Sequence, residues 1–207
     1  YRQSAPHVHL SIQSRERPAT LMSRWPALAL GLGALLLTGA APEFQHPSLS
    51  REQMESSLSD GARFLLVYGT QRPMATAALR ERAAAVARRL FGGDGGSTRA
   101  DRDVPAESIA THAVVLVGSP AENSWTRRLA PGLPVTFTEH GFRWFGRDYE
   151  HPSDVLHLVY PNPYAPRMFL LLLAANSSDA SLERDEPLFG EEDWRIERGD
   201  ELLRSGR

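Results

Sequence analysis

The sequence predicts an α/β fold around a mixed sheet, with parallel strand–helix units first and antiparallel hairpins after them. In the first part, two continuous apolar runs each precede a segment with helix signals, which is the order of parallel strands joined by crossover helices. In the second part, apolar and polar residues alternate between closely spaced turn signals, which is typical of short antiparallel strands. The 207 residues are 42% hydrophobic and 23% charged, which suits one domain with its own core.

The first strand–helix unit starts at RFLLVYGT. Its apolar run, 64–68, is typical of a strand buried on both faces, and Gly69 ends it. The segment RPMATAALRERAAAVARRLF follows, and four of its apolar residues share one helical face because they recur at spacings of four, three and four. These residues are Leu79, Ala83, Val86 and Leu90. We expect Gly92 and Gly93 to end this helix.

The second unit comes after a glycine-rich connector. We expect GGDGGSTRADRDVP to be irregular and polar, because its glycines follow a helix and no lysine completes a phosphate loop. One helical turn is predicted at 105–110, and the apolar run 113–117 predicts a second buried strand. Ser119, Pro120 and Glu122 match a capping box, which predicts a helix that begins at Pro120.

The remaining elements are predicted to be hairpins. In VTFTEHGFRWFGRDY, turn signals stand at His140-Gly141 and at Gly146-Arg147. The apolar runs 155–160 and 168–174 are separated by seven residues, which are too few for a parallel crossover, so we expect them to pair antiparallel. A last hairpin is predicted in DWRIERGDELLRSGR, with its turn at Gly199-Asp200.

The connection YPNPYAPR is predicted to be a stiff structural clamp. Pro161, Pro163 and Pro166 lack a backbone N–H group and have a fixed φ angle. Asn162 is expected to hydrogen-bond nearby backbone, as asparagine does in turns. A functional hypothesis for this loop is that Asn162 meets the Asn123 loop across the top of the sheet and forms one site with it.

The N-terminal part of the chain is predicted to be a targeting region. Arg24 follows Met22, residues 25–37 carry no charge, and Thr38-Gly39-Ala40 offers a cleavage site after Ala40. We therefore expect an upstream or non-native segment (1–21), a signal peptide (22–40), a linker (41–60) and a single α/β domain (61–207) whose abrupt end suggests truncation. The expected location is secreted or periplasmic, with membrane contact only through the signal segment. The alternative is a longer chain in which 22–41 is an internal membrane segment.

Three segments of the domain carry a resemblance to a known family: RFLLVYGT, AVVLVGSPAENSWTRRLAPGLPVTFTEHGFRWFGRDYEHP and LVYPNPYAPRMFLLLLA. Their marks are a glycine-rich strand end with a nearby asparagine, at Gly118, Pro120 and Asn123, and an Asn-Pro loop before an apolar strand, at Asn162-Pro163. Over residues 62–176 the chain resembles the Rossmann-like accessory domain of secreted bacterial hydrolases, chiefly prolyl-oligopeptidase-like α/β-hydrolases and some metallopeptidases. It departs from that pattern in AANSSDASLERDEP, which is polar where such domains often have a glycine and a helix.

The resemblance implies a function as well as a fold. It implies a Rossmann-like mixed sheet and a non-catalytic accessory or interaction domain of a secreted peptidase or esterase system. The partner is then a hydrolase domain beyond Arg207 or on a separate protein. This is an inference from fold-level likeness, since the function of such a fold depends on its sites.

Composition excludes several chemistries. The chain has no cysteine, which excludes thiol nucleophiles, disulfides and cysteine-ligated metal sites. All 23 basic residues are arginine, which excludes lysine Schiff bases and Ser-Lys dyads. The net charge of −2 gives no electrostatic basis for binding nucleic acid. We expect no cofactor.

Ser119 is the candidate nucleophile, because it follows a strand at a turn into a predicted helix. The surrounding VGSPA does not match G-x-S-x-G, and a helix-cap role accounts for the serine, so no catalytic residue is predicted. The alternative is a small secreted serine hydrolase in which Ser119 works with a histidine such as His151 or His157.

A ligand site at the strand ends is a third hypothesis. Gly69-Thr70 and Gly118-Ser119 end the two predicted parallel strands, and doubly wound sheets bind ligands outside the carboxyl ends of their strands. A helix that begins at Pro120 would point its free N–H groups into the same crevice. The expected ligand is a small anion, since the chain has no dinucleotide-binding motif.

Two other groups of residues are predicted to be structural. Acidic residues and histidines occur between Glu139 and His157, but strand alternation sends them to opposite faces, so no metal site is expected. Five aromatic residues are expected to pack in the core, although an exposed patch that binds sugar or protein is the alternative. These are Trp125, Phe142, Trp144, Phe145 and Tyr149.

Overall fold

The computed structural model describes residues 64–91, 98–180 and 192–207. The predicted upstream segment, signal peptide and linker lie outside the described residues, as do Gly92 and Gly93, which were expected to end the first helix. The described residues form a seven-stranded mixed sheet, a three-stranded antiparallel sheet, one long helix and two short ones. The predicted α/β fold, with parallel strand–helix units followed by antiparallel hairpins, is confirmed.

The main sheet contains seven strands. They are β1 (Phe64–Tyr68), β2 (Thr98–Ala100), β3 (Ala113–Val117), β7 (Asp154–Asn162), β8 (Ala165–Ala175), β9 (Trp194–Arg198) and β10 (Glu201–Gly206). Their order across the sheet is β10-β9-β7-β8-β3-β1-β2. β1, β2, β3 and β8 pair in parallel, whereas the pairs that involve β7, β9 and β10 are antiparallel.

A small sheet and three helices complete the described domain. The small sheet contains β4 (Thr136–Phe137), β5 (Phe142–Trp144) and β6 (Arg147–Tyr149) in sequence order. The helices are α1 (Pro73–Phe91), α2 (Ala106–Thr111) and α3 (Ser124–Leu129), and 3-10 turns form at Asp101–Asp103 and Ala130–Gly132. No helix in these parts of the chain is long and apolar enough to span a membrane.

The core lies on both faces of the main sheet, because neighbouring residues of a strand point to opposite faces. On one face, Leu66, Val115 and Leu171 pack against α1. The predicted apolar stripe of α1 is confirmed: Leu79, Ala83 and Val86 are buried there, and Leu90 packs beside them. On the other face, a second cluster joins the sheet to α2, α3 and the small sheet. It includes Leu65, Val114, Leu170, Ile109, Trp125 and Trp144.

The expectation of an irregular connector after α1 is wrong for its second half. Residues 98–100 form β2, which pairs in parallel with residues 66–68 of β1, and the chain then turns through Asp101–Asp103. The short TRA strand has no apolar pattern of its own, and its pairing comes from the open edge of β1. The helical turn predicted at 105–110 is confirmed as α2.

The predicted start of the third helix is wrong. Residues 119–122 form a turn, in which the backbone N–H groups of Glu122 and Asn123 both donate to the carbonyl oxygen of Ser119. The helix α3 begins at Ser124 with Asn123 as its N-cap. Asn123 prevails because its side-chain oxygen accepts hydrogen bonds from two helical N–H groups, those of Trp125 and Thr126.

The hairpins occur where the sequence places them. β7 and β8 pair antiparallel as predicted, but both strands continue into the proline segment. Asn162 pairs with Ala165 after a register shift, so only Pro163 and Tyr164 lie between the two strands. Most of the expected loop is therefore strand. The last predicted hairpin is also confirmed, as β9 and β10 with the turn between Arg198 and Glu201.

Candidate functional site

The structure brings five of the predicted site residues together at the carboxyl ends of β1 and β3. Gly69 and Thr70 follow β1, and Gly118, Ser119 and Asn123 follow β3. The chain leaves β1 for β2, which lies on one side of β1, and then crosses to β3, which lies on the other side. The crevice between β1 and β3 is therefore a topological switch point. This is where an open α/β sheet binds a ligand.

The crevice is filled by the chain's own turn, residues 119–123. A Cβ atom on Gly69 would lie 2.4 Å from the carbonyl oxygen of Glu122, so the two backbones are in contact. The N–H of Gln71 donates to the same oxygen at 2.8 Å. Asn123 is fully buried, and its Nδ2 donates to the carbonyl oxygens of Val67 and Val117, at 3.1 Å each. Asn123 thus ties together the ends of β1 and β3.

The backbone N–H groups of Ser119 and of the first turn of α3 already have partners. At the start of α3, the N–H of Ser124 donates to Asp101 Oδ2 at 2.7 Å, and those of Trp125 and Thr126 donate to Asn123 Oδ1. The N–H of Ser119 donates to Glu122 Oε2 at 2.9 Å. The expectation that a helix at Pro120 offers free N–H groups to a ligand is therefore wrong.

Asp101 is a buried residue of this region that the sequence did not reveal. Its carboxylate accepts hydrogen bonds from the Thr70 hydroxyl, from Gln71 Nε2, and from the N–H groups of Arg102 and Ser124. Burial raises the pKa of Asp101, but the hydrogen bonds from Thr70, Ser124 and Gln71 outweigh it and hold the pKa below its usual range. No sequence signal marks this role, because Asp101 follows a three-residue polar strand.

Ser119 is hydrogen-bonded within its own turn, to Glu122. Its hydroxyl donates to Glu122 Oε2 at 2.9 Å, and Glu122 is buried. Neither histidine of the hydrolase alternative is hydrogen-bonded to this hydroxyl. His151 Nδ1 accepts the N–H of Ser153, and His157 Nε2 lies 3.6 Å from Glu197 Oε2 on the neighbouring strand β9.

Asn162 and Asn123 lie at opposite ends of the strands of the main sheet, so the hypothesis that they form one site is wrong. Asn162 pairs with Ala165 at the start of β8, whereas Val117, which Asn123 contacts, pairs with Leu173 near the end of β8. Counted along β7, five residues separate Asn162 from His157, which pairs with Leu173, so the two levels are about 17 Å apart at about 3.3 Å per residue. Asn162 instead holds backbone: its Nδ2 donates to Ile109, and its Oδ1 accepts the N–H of Tyr164.

A small open cleft lies beside the filled crevice. It is lined by Arg72 and by residues 119–121, 137–142 and 174–176, so it lies between the carboxyl ends of β3 and β8 and the hairpin of β4 and β5. Its volume of about 80 Å³ is below the roughly 300 Å³ at which pockets for drug-sized ligands begin. The cleft therefore suits a small group, or the end of a larger molecule.

The polar residues of the cleft include three that lack partners in the described parts of the chain. The hairpin is closed by the N–H of Thr138, which donates to the carbonyl oxygen of Gly141, and by the N–H of Gly141, which donates to Thr138 Oγ1. Glu139 and His140 are exposed at its tip. The side chains of Arg72, Glu139 and His140 form no ion pair or hydrogen bond with any described residue.

The acidic residues and histidines of 139–157 do not converge. Asp148 forms a two-point pair with Arg143, and Asp154 forms one with Arg198. Within residues 64–91, 98–180 and 192–207, no three His, Asp or Glu side chains are grouped so that they could hold a metal ion.

The aromatic residues are mostly core, as expected. Trp125, Phe142, Trp144 and Tyr149 are buried. Phe145 is the exception: it is 60% exposed at the turn between β5 and β6, with a left-handed φ of 46°, and its ring packs against Trp144 and Trp194.

The fold and the cleft define an α/β domain in which the chain's own turn, residues 119–123, fills the switch point of the sheet. Comparison of the chain with protein-family models and with curated proteins finds no match. The resemblance to a hydrolase-associated accessory domain therefore stays a prediction.

Proposed function

We propose that this chain is a non-catalytic accessory or interaction domain of a secreted bacterial hydrolase system. The observation that carries the absence of catalysis is the filled crevice between β1 and β3, where the turn 119–123 occupies the position of a ligand. The association with a hydrolase rests on the sequence marks at Gly118, Asn123 and Asn162. Its partner would be a hydrolase domain beyond Arg207 or on a separate protein.

The bonding of Ser119 supports this proposal. A serine nucleophile requires a base that removes its proton during attack, and that base is itself oriented by a third group. Here the hydroxyl donates to Glu122, and the same carboxylate oxygen accepts the N–H of Ser119. Both hydrogen bonds close the same turn, so this structural role accounts for Ser119 and Glu122 without catalysis.

One observation favours a serine hydrolase as the second candidate. Ser119 and His140 line the same cleft, although no hydrogen bond joins them in the described structure. If the chain has hydrolytic activity, His140 is therefore the histidine to test, in place of His151 and His157.

An activity assay separates the two candidates. The purified full chain is assayed against p-nitrophenyl esters and chromogenic peptides, next to the variants Ser119→Ala and His140→Ala, with Ser153→Ala as a matched serine control. We expect the wild type to show no turnover above that of Ser119→Ala. Turnover that disappears in both Ser119→Ala and His140→Ala, while Ser153→Ala retains it and all three give the wild-type circular dichroism spectrum, would establish the hydrolase.

The hydrolase association needs a separate test. Chemical crosslinking of the protein in the extracytoplasmic fraction of its native cells, followed by mass spectrometry, is expected to join it to an α/β-hydrolase or a metallopeptidase. Crosslinks that reproducibly join it only to proteins of other classes would contradict the association and leave the non-catalytic assignment intact.

A further inference from the structure

We propose that the cleft between β3, β8 and the β4–β5 hairpin binds a single carboxylate group, such as the free C-terminus of a peptide, with Arg72 as the residue that binds the charge. This site lies beside the crevice in which the sequence predicted an anion; Ser119 lines it, but the charge is bound by Arg72, which no sequence signal singled out. The inference goes beyond the accessory function and does not depend on a hydrolase partner.

The first argument is the state of Arg72 compared with other arginines of the domain. Arg143, Arg195 and Arg198 each form an ion pair with an acidic residue. Arg72 lines the cleft, and its guanidinium has no acidic partner among the residues that the structure describes. A guanidinium presents parallel N–H donors in a planar fork, which matches the two oxygens of a carboxylate.

The second argument is the local field. Arg72 immediately precedes α1, a helix of 19 residues with no acidic residue in its first turn. The amino-terminal end of a helix carries a partial positive charge, which favours a negative group nearby. This field adds to the positive charge of Arg72, the residue directly before the helix.

The third argument concerns the size and charge of the occupant. Glu139 lines the cleft, and the carboxylate of Glu122 is hydrogen-bonded to Ser119, so a doubly charged anion would be repelled more strongly than a singly charged one. A volume of about 80 Å³ admits a carboxylate with a short side chain. Phe137, Phe142 and Ala174 supply apolar wall for that side chain. A chain-terminal carboxylate beside a small apolar residue fits these limits better than phosphate.

Thr138 offers a second polar contact. Its Oγ1 accepts the N–H of Gly141, so the hydroxyl hydrogen remains available to donate to a ligand oxygen. Since this contact also closes the hairpin, the threonine oxygen is held in position before a ligand arrives.

The test is a titration of the full-length protein by isothermal calorimetry and by two-dimensional NMR. The probes are N-acetyl-L-alanine, its neutral amide and inorganic phosphate. For a ligand of this size we expect N-acetyl-L-alanine to bind with a Kd of about 1 mM, which corresponds to about −4 kcal/mol. The amide and phosphate should bind at least about tenfold more weakly, because they lack the planar single charge that Arg72 matches.

Variants locate the site. Arg72→Gln should weaken the binding of N-acetyl-L-alanine at least about tenfold. Arg72→Lys keeps the charge but loses the planar fork of donors, so its affinity should lie between those of the wild type and Arg72→Gln. Arg99→Gln removes an exposed arginine on β2 outside the cleft and should bind as the wild type does. Circular dichroism confirms that each variant is folded.

Three outcomes would overturn the inference. They are no binding of N-acetyl-L-alanine at 20-fold the expected Kd, equal binding of the amide or tighter binding of phosphate, and equal losses in the Arg72→Gln and Arg99→Gln variants. None of these bears on the accessory function, which the activity and crosslinking assays test.

Discussion

At the scale of single residues, two buried polar side chains hold the strand ends together. Asp101 joins Thr70 and Gln71, which follow β1, to the first residue of α3. Asn123 joins β1 to β3 and caps α3 at the same time. A buried polar group is costly without partners, and both side chains here have a full set of them. These residues therefore fix the position of the turn that fills the switch point.

Asp101→Asn is the residue-scale prediction for stability. The amide replaces one carboxylate oxygen with an NH₂ group, which faces donors, so we expect the free energy of unfolding at pH 7 to fall by about 2–3 kcal/mol. Urea unfolding measures the change. Asp103→Asn is the matched control, because Asp103 is an exposed carboxylate in the same 3-10 turn. Its effect should stay within about 0.5 kcal/mol.

The pH dependence of this difference follows from the lowered pKa of Asp101. A carboxyl whose pKa is lower in the folded state contributes its full stability above the unfolded pKa of about 3.9 and loses it as the pH falls through the folded value. The gap in unfolding free energy between wild type and Asp101→Asn should therefore be constant from pH 7 to 5 and narrow below pH 4. A gap that widens on acidification would show that the carboxyl is not the stabilised ionised group.

At the scale of elements, the turn 119–123 and the end of β1 are fitted to each other. The fit depends on Gly69, because any side chain there would meet the backbone of Glu122 and Asn123. The turn also shapes one wall of the neighbouring cleft through residues 119–121. Close packing at one strand end thus closes the crevice and forms the cleft beside it.

Gly69→Ala is the element-scale prediction. Its Cβ would lie 2.4 Å from a backbone oxygen, which cannot rotate away, so the turn must shift at a cost of about 3 kcal/mol. Gly146→Ala is the comparison: Gly146 has a positive φ of 74° but open space around it, so only the backbone cost of about 1 kcal/mol applies. Thermal unfolding should rank Gly69→Ala well below Gly146→Ala, and the reverse order would contradict the described packing.

At the scale of the whole molecule, one sheet separates two apolar clusters. Leu171 and Leu172 are neighbours on β8, yet Leu171 packs with α1 and Leu172 packs with the side of α2 and α3. The described tryptophans, Trp125, Trp144 and Trp194, all pack on the Leu172 side. Fluorescence therefore reports mainly on one face of the sheet, although Trp25 lies outside the described residues.

Leu171→Ala tests whether the two faces unfold together. The fully buried leucine should cost about 3 kcal/mol, as in other large-to-small core substitutions. Since both clusters share the strands of one sheet, we expect tryptophan fluorescence and far-ultraviolet circular dichroism to show the same shifted transition. A fluorescence transition that keeps the wild-type midpoint while the dichroism shifts would show that the faces unfold separately.

The sequence alone determined the elements whose signals are local. The apolar runs of β1 and β3, the stripe of α1 and the short β7–β8 connection each depend on residues close in the chain. A buried strand needs only a continuous apolar run, and a connection of seven residues is too short for a crossover. The core role of four of the five aromatic residues also followed. Phe142, Trp144 and Tyr149 lie on the covered face of short strands. Trp125 lies on the buried side of α3.

Only the tertiary structure decided the start of α3, the strand β2 and the location of the cleft. Each depends on contacts between residues far apart in the chain: Asn123 bonds to Val67, 56 residues away, and Thr70 bonds to Asp101, 31 residues away. The sequence has a local capping pattern at Ser119. The contacts of Asn123 and Asp101 with distant residues nevertheless make the helix begin at Ser124. The same contacts filled the switch point, and the small cleft beside it stays open.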